Sequence, residues 1–475
     1  MVRFRWFAIL FAIEVALFGS RTVMAQSKIQ TQAELQSEID QLKQKVDALE
    51  AVNVQLQHLD QQVKLVDHKL EVQQGAKHEE ALNRPVVEVG PQGFFIRSQD
   101  DSYNLRIGGY MQADGRFYLS EPKPSGSEFL IRRLRPFLEG TVAKYYDFRF
   151  MEDFGQGTTI LEDAYADIHY WPEFRLRAGK FREPVGLERL EEDRALKFVE
   201  RALPTVLVPD RDLGFNLHGD LFAQRLEYAL GLFNGTADNT ATADGDNNDG
   251  KDFAARIFVH PFGDTSLEYV RQLGFGVAGT YGDERSTTID SSYKSTGQNV
   301  FFSYAKGVEA AGPRYRISPQ ADYYWKSFGL LGEFVQNTQR LLLPPSKGKA
   351  AHPRTISNQA WQLAATYLLT GEDATYGQVK PRRNFDPFGG GLGAWEVAAR
   401  IDGLQIDRDV YKYGLASSST SSLEAFEWAL GVNWYLNPNV KLQFDYEHTG
   451  FRYGAAPGHD RPDESVFLSA LQLQF

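Results

Sequence analysis

Eight arginines stand where an alternating chain would turn them all to one side: Arg106, Arg116, Arg133, Arg135, Arg149, Arg175, Arg177 and Arg400. A guanidinium keeps its charge and offers a rigid fork of N–H donors that matches the oxygens of phosphate and carboxylate. A row of them would steer small anions and hydrogen-bond them in passage. The same row could instead brace a wall, by pairing with the carboxylates of equal parity: Asp114, Glu139, Asp147, Asp163, Asp167 and Glu396. Further cations, Arg182, Arg189, Arg194, Lys197 and Arg201, crowd the segment 182–210 beside Glu183, Glu188, Glu191, Glu192, Asp193 and Glu200. So many carboxylates would weaken an anion filter built there.

Other chemistry finds little footing. Gly274-Phe275-Gly276-Val277-Ala278-Gly279 has the spacing of a dinucleotide loop but sits inside an alternating strand with no helix after it. Small residues that let strands approach closely explain it better. Asp244, Asp246, Asn248 and Asp249 cluster in the acidic stretch 238–252, without the glycine and terminal glutamate of a calcium loop. The nine histidines show no HExxH pairing, and there is no G-x-S-x-G. No enzymatic activity, cofactor or metal is expected.

The elements that would position the arginines are strands. From Asn104 onward the pattern has a period of two. In 131–143, Leu134, Pro136, Leu138, Gly140 and Val142 share one face, and Arg133, Arg135, Phe137, Glu139 and Thr141 the other. The alternation recurs at 144–154, 163–170 and 440–447, and sixteen such segments can be counted between 104 and 475. A soluble sandwich also alternates, but here tight turns (Lys144-Tyr145, Trp171-Pro172, Gly219 to Ala223, Lys326-Ser327, Asn437-Pro438) alternate with long connections (182–210, 234–251, 404–424, 448–463). That is the pattern of an antiparallel transmembrane β-barrel with short turns at one end and long loops at the other. Asn299 to Tyr304 is assigned to an outer loop, since a seventeenth strand would invert the turns that follow. The connection 370–392 is long on the short side and has no explanation in the pattern. Tyr170, Trp171, Phe222, Phe262, Trp325, Phe328, Trp395, Trp434 and Tyr435 gather near the short turns, as an interfacial girdle would.

A net charge of -11 argues against a nucleic-acid partner. Beyond the first twenty or so residues no apolar run approaches the roughly 18 needed for a spanning helix, a limit that does not touch barrels. Arg3 and Arg5, the apolar stretch from Trp6 to Phe18, interrupted by Glu14, and Val23-Met24-Ala25 before Gln26 read as a cleaved export signal over 1–25. In 26–84, Leu35, Ile39, Leu42, Val46, Leu49, Val52, Leu56, Leu59, Val63, Val66 and Leu70 fall mostly at alternating threes and fours, the seam of a periplasmic α-helical coiled coil. A linker at 85–103 then leads to the barrel at 104–475.

The barrel region resembles the phosphate-selective porins O and P of Gram-negative outer membranes. The resemblance rests on Arg132-Arg133-Leu134-Arg135-Pro136, on the run from Arg177 to Glu188 (RAGKFREPVGLE), on Phe198 to Pro204 (FVERALP) and on Gly393 to Arg400 (GAWEVAAR). It implies a sixteen-stranded trimeric barrel whose third outer loop, here 182–210, folds inward, and arginines and lysines lining the pore. The expectation is an outer-membrane porin in contact with outer-membrane lipid, passing small hydrophilic solutes and preferring small anions, phosphate-like ones among them. The competing expectation is a structural anchor, adhesin or envelope tether whose coiled coil contacts the periplasm or cell wall.

Overall fold

The computed structural model describes residues 32–82, 85–238, 249–289, 292–343, 352–455 and 459–475. The export signal and Asp244, Asp246 and Asn248 of the acidic stretch lie outside the described residues. The chain divides into two compact units after Ala81.

The first unit is a helix, α1, Gln32–Leu82, long because 51 residues pass without proline and with a single glycine near the end. Leu42, Leu49, Leu56, Val63 and Leu70 of the expected seam are all exposed on it.

In the second unit, a hairpin, β1 (Val86–Gly90) and β2 (Gly93–Arg97), precedes sixteen long antiparallel strands. These are β3 (Asn104–Tyr118), β4 (Glu128–Val142), β5 (Tyr146–Asp153), β6 (Ile160–Trp171), β7 (Phe174–Arg182), β8 (Arg211–Leu221), β9 (Leu226–Phe233), β10 (Asp252–Val259), β11 (Leu273–Thr288), β14 (Glu309–Trp325), β15 (Phe328–Leu342), β16 (Arg354–Leu368), β17 (Ala394–Gln405), β18 (Glu424–Asn437), β19 (Val440–Arg452) and β20 (Glu464–Gln474). Two short strands, β12 (Ser292–Lys294) and β13 (Val300–Ser303), pair only with each other in an outer loop, where the sequence placed 299–304. Each barrel strand pairs with the next, and β20 returns to β3 from Val466↔Tyr118 to Gln474↔Tyr110, which closes the sheet.

Exposure along the strands is inverted relative to a soluble sandwich. On β18 and β19, Phe426, Leu430 and Phe444 face outward and are exposed, whereas Glu427, Gln443, Asp445 and Glu447 face inward at 0% exposure. An apolar skin around a polar interior is stable only where lipid replaces water outside, and closure leaves no strand edge unpaired in the lipid.

The stretch expected as a linker, 85–103, contains the hairpin. The β20 ladder ends at Gln474↔Tyr110, and along the start of β3 its place on that edge is taken by β2, from Phe94↔Ile107 to Arg97↔Asn104. The anomalous connection after β16 also acquires a role. It enters the lumen, where the Tyr376 hydroxyl donates to the Leu187 carbonyl at 2.6 Å and Val379 packs with Leu368, Ala374, Ala394 and Tyr435. Tyr435, expected in the girdle, therefore faces inward and donates to Glu396 at 2.7 Å.

Candidate functional site: an arginine-lined passage

The connection between β7 and β8 folds into the lumen, as its position in the third long loop implied. It carries a helical turn, Leu187–Leu190, and a tighter turn, Leu203–Leu207, whose residues are buried. Its backbone is hydrogen-bonded to the wall formed by β15 to β19. Glu333 accepts from the Leu187 N–H at 2.6 Å and Asp445 from the Val199 N–H at 2.6 Å, while Asn433 donates to the Lys197 carbonyl at 2.9 Å. A loop interior cannot satisfy its own N–H and C=O groups, so the inward carboxylates and amides of this wall replace water as partners. On the outer side Val185, Leu203 and Leu207 join Tyr293, Phe301, Phe302 and Tyr304 of another inserted loop in one apolar cluster.

The space that remains lies along the opposite wall, β3 to β8. A cavity of about 830 Å³ there is lined by Arg106, Arg135, Arg149, Arg177, Arg182, Arg194, Arg211 and Lys380, against Asp163, Glu192 and Asp193. A second, of about 510 Å³, is lined by Arg132, Arg133, Arg135, Arg182, Arg189, Arg201, Arg211 and Lys294, against Asp153, Glu162, Asp193, Glu200, Asp210 and Asp238. The first also touches Pro91, Gln92 and Phe475 at the short-turn end, and the second reaches Ser292 to Gln298 of an outer loop. Arg135, Arg182, Asp193 and Arg211 line both cavities, and so mark where the two approach each other.

Asp193 organises that point. Its carboxylate meets Arg201 at 2.6 Å, Arg182 at 2.9 Å, Arg133 at 3.3 Å, and Arg135. Burial pushes its acidity the other way, but Arg201, Arg135, Arg133 and Arg182 together hold it well below the ordinary carboxylate range. Glu200 is set similarly: burial raises it, and Arg132, Arg133 and Arg116 bring it down to about 2. Arg211 spans Glu162 at 2.6 Å and Asp163 at 2.8 Å. Nearer the short turns the guanidiniums lie against rings: Arg106 and Arg149 each 4.9 Å from the centre of Phe137, and Arg177 4.4 Å from that of Tyr165. The rings hold the guanidiniums by cation–π attraction, beside the carboxylates that pair with them: Glu139 with Arg106 and Arg149, and Asp167 with Arg177.

Of the positions expected to line a pore, Arg106, Arg133, Arg135, Arg149, Arg177, Arg189, Arg194 and Arg201 border the two cavities. Arg116 is buried against Glu200 at 3.0 Å; Arg175 bridges Asp147 and Asp167 at 3.0 and 3.3 Å; Lys197 donates to the Gly377 carbonyl at 3.2 Å. None of these three borders either cavity. Arg400 is corrected outright. It is 1% exposed beneath the inward loop, held by Asp402 at 3.0 Å, Glu427 at 2.9 Å and Glu447 at 3.3 Å, and it donates to the Glu200 carbonyl. Its parity is right, but the loop covers it.

Parity missed three arginines. Arg132 alternates toward lipid, yet the β3–β4 register slips between Gln112↔Arg133 and Ala113↔Ile131, making Arg132 the extra residue of a bulge. Turned inward, it bonds Glu200 at 2.6 Å. Arg182 and Arg211 face each other at the last step of the β7–β8 ladder, where the chain departs into the inward loop and returns from it. Arg182 was already counted among the cations of the segment 182–210; for Arg211 the place at the foot of that loop is the only signal the sequence offered.

A closed barrel with an apolar skin, an inward loop and a charged passage defines an outer-membrane channel. The chain belongs to the phosphate-selective porin O and P family, whose profile matches residues 105–475. It is 24% identical over 386 residues to Porin O of Pseudomonas aeruginosa, covering 74% of this chain and 84% of that one. Its fold is similar to that of OmpT (in-vitro folded), an outer membrane protein of Vibrio cholerae. The TM-score is 0.51 at 10% identity, covering 79% of this chain and 98% of OmpT.

Proposed function

We propose that the passage along β3 to β8 conducts small hydrophilic anions by diffusion, phosphate-like ones included. The observation that carries this is the lining itself: eight cationic side chains against three carboxylates in the larger cavity, and eight against six in the smaller. The arginines are paired, as the bracing alternative required, several of them with carboxylates set behind the lining, such as Glu139 and Asp167, so the passage meets more guanidinium than carboxylate surface. Such an excess in a narrow, low-dielectric passage concentrates anions and repels cations. The family's description as phosphate-selective agrees with this substrate class.

We infer further that the export signal is cleaved before Gln26 and that the protein works as a homotrimer. The exposed leucine and valine seam of α1 supports self-association, because apolar residues repeating at this spacing are stable only against partner helices. Removal of 26–84 should weaken the trimer on a semi-native gel; an unaltered trimer would assign the helix to another partner.

The test of conduction is single-channel recording in planar bilayers under a salt gradient, with phosphate added to one side. A reversal potential on the anion side together with block by phosphate supports the proposal. Cation preference would overturn it, and absence of conductance would favour the structural anchor.

A further inference from the structure

The long connection after β16 has two ends with different surroundings. Up to Lys380 it lines the lumen. Beyond that it crosses the rim to the lipid-facing side. There the Phe385 ring packs edge-on against Trp434 at 4.9 Å, Trp434 stacks on Trp395 at 4.8 Å, and the Trp434 indole N–H donates to the Leu392 carbonyl at 2.9 Å. Trp395 and Trp434 belong to the aromatic belt at the short-turn rim, the depth at which rings meet lipid headgroups.

On this platform stands a tight turn. Asp386 accepts from the Phe388 N–H at 2.9 Å, and Gly390, at φ +74°, reverses the chain with a backbone that side chains other than glycine rarely adopt. The turn holds Phe388 out at 99% exposure, with Leu392 at 66%. Immediately before it come Arg382 and Arg383, both exposed. The Arg383 guanidinium donates to the Gly389 carbonyl at 2.7 Å, and neither arginine forms an ion pair among the described residues. Every cavity-lining arginine discussed above has a carboxylate partner, so these two are set apart.

We propose that Arg382, Arg383 and Phe388 form a binding site for an anionic phospholipid of the periplasmic leaflet, with the guanidiniums on its phosphate and the phenyl ring among its acyl chains. The occupant follows from the surface: two exposed guanidiniums at headgroup depth, which outnumber the neighbouring Asp386 carboxylate, attract a phosphate, and a fully exposed ring beside an aromatic belt is stable in lipid rather than in water. A soluble anion would account for the arginines but not for Phe388. The site would clamp the connection at the rim, and so secure the part of it that packs in the lumen.

Two measurements on the full-length protein test this. In native mass spectrometry from detergent, phosphatidylglycerol should be retained over phosphatidylcholine of the same chain length. R382Q should lower that retention roughly five-fold, and R382Q/R383Q roughly twenty-five-fold, at about five-fold per charge near a lipid surface. The chain contains no cysteine, so F388C can carry a single nitroxide label. In vesicles containing phosphatidylglycerol the label should be open to oxygen and shielded from a water-soluble nickel chelate. Equal retention of the two lipids, an unchanged double variant, displacement of phosphatidylglycerol by inorganic phosphate, or a label fully open to the chelate would each overturn the proposal.

Discussion

The two halves of the barrel carry polar side chains inward on the same alternation, and they end in opposite states. Along β3 to β8 the inward arginines border open space, and rings such as Phe137 and Tyr165 support them. Along β15 to β19 the inward residues are sealed under the loop 183–210, and Arg400 lies among Asp402, Glu427 and Glu447 with no exposure to the passage. Alternation decides which side of the wall a residue faces. Whether it meets solute or loop is decided by where one inserted segment comes to rest.

The strongest way to break this contrast is on the sealed side. R400M should leave the buried carboxylates of Asp402, Glu427 and Glu447 without their cation and cost about 3–5 kcal/mol, the usual penalty for removing one partner of a buried network. Urea titration of the barrel would show it as a lowered midpoint. On the open side, R135Q/R211Q should reduce the anion-to-cation permeability ratio by roughly ten-fold, the lower end of what electrostatic focusing contributes; both arginines also pair with buried carboxylates, so the unfolding midpoint of this variant should fall as well.

A smaller effect of opposite sign is expected from D193N. It removes the carboxylate shared by Arg133, Arg135, Arg182 and Arg201, so anion preference and phosphate block should both increase. A pH-dependent effect concerns Glu191, whose carboxyl is raised by burial from 4.5 to about 8. The folded protein then holds a proton that the unfolded chain releases above about pH 4.5, so stability should decline as pH rises from there to about 8. In E191Q that part of the decline should be absent from unfolding midpoints measured between pH 5 and 8.

Much of the barrel was legible because its information is local. All sixteen strands, the side on which each turn falls and the outer-loop position of 299–304 follow from alternation and turn residues within a few positions of each other. The family resemblance added the inward loop. What could not be read depends on contacts between distant parts of the chain: Val199 meets Asp445, and Arg400 meets Glu200, across roughly half its length. Arg132 has lipid parity near the outer end of its strand, where headgroups or the loop could receive it; a single bulge, which alternation does not show, turns it to the loop. The connection 370–392 looked anomalous because its two ends serve two environments, lumen and rim, and no single period describes both.

The most direct test of the central claim, that anions pass along β3 to β8, is the reversal potential of single channels under a salt gradient, compared between wild type and R135Q/R211Q. An anion-side potential that collapses toward zero in the variant, with channels still opening, is the expected result. An unchanged potential would place the path elsewhere in the barrel and contradict the account.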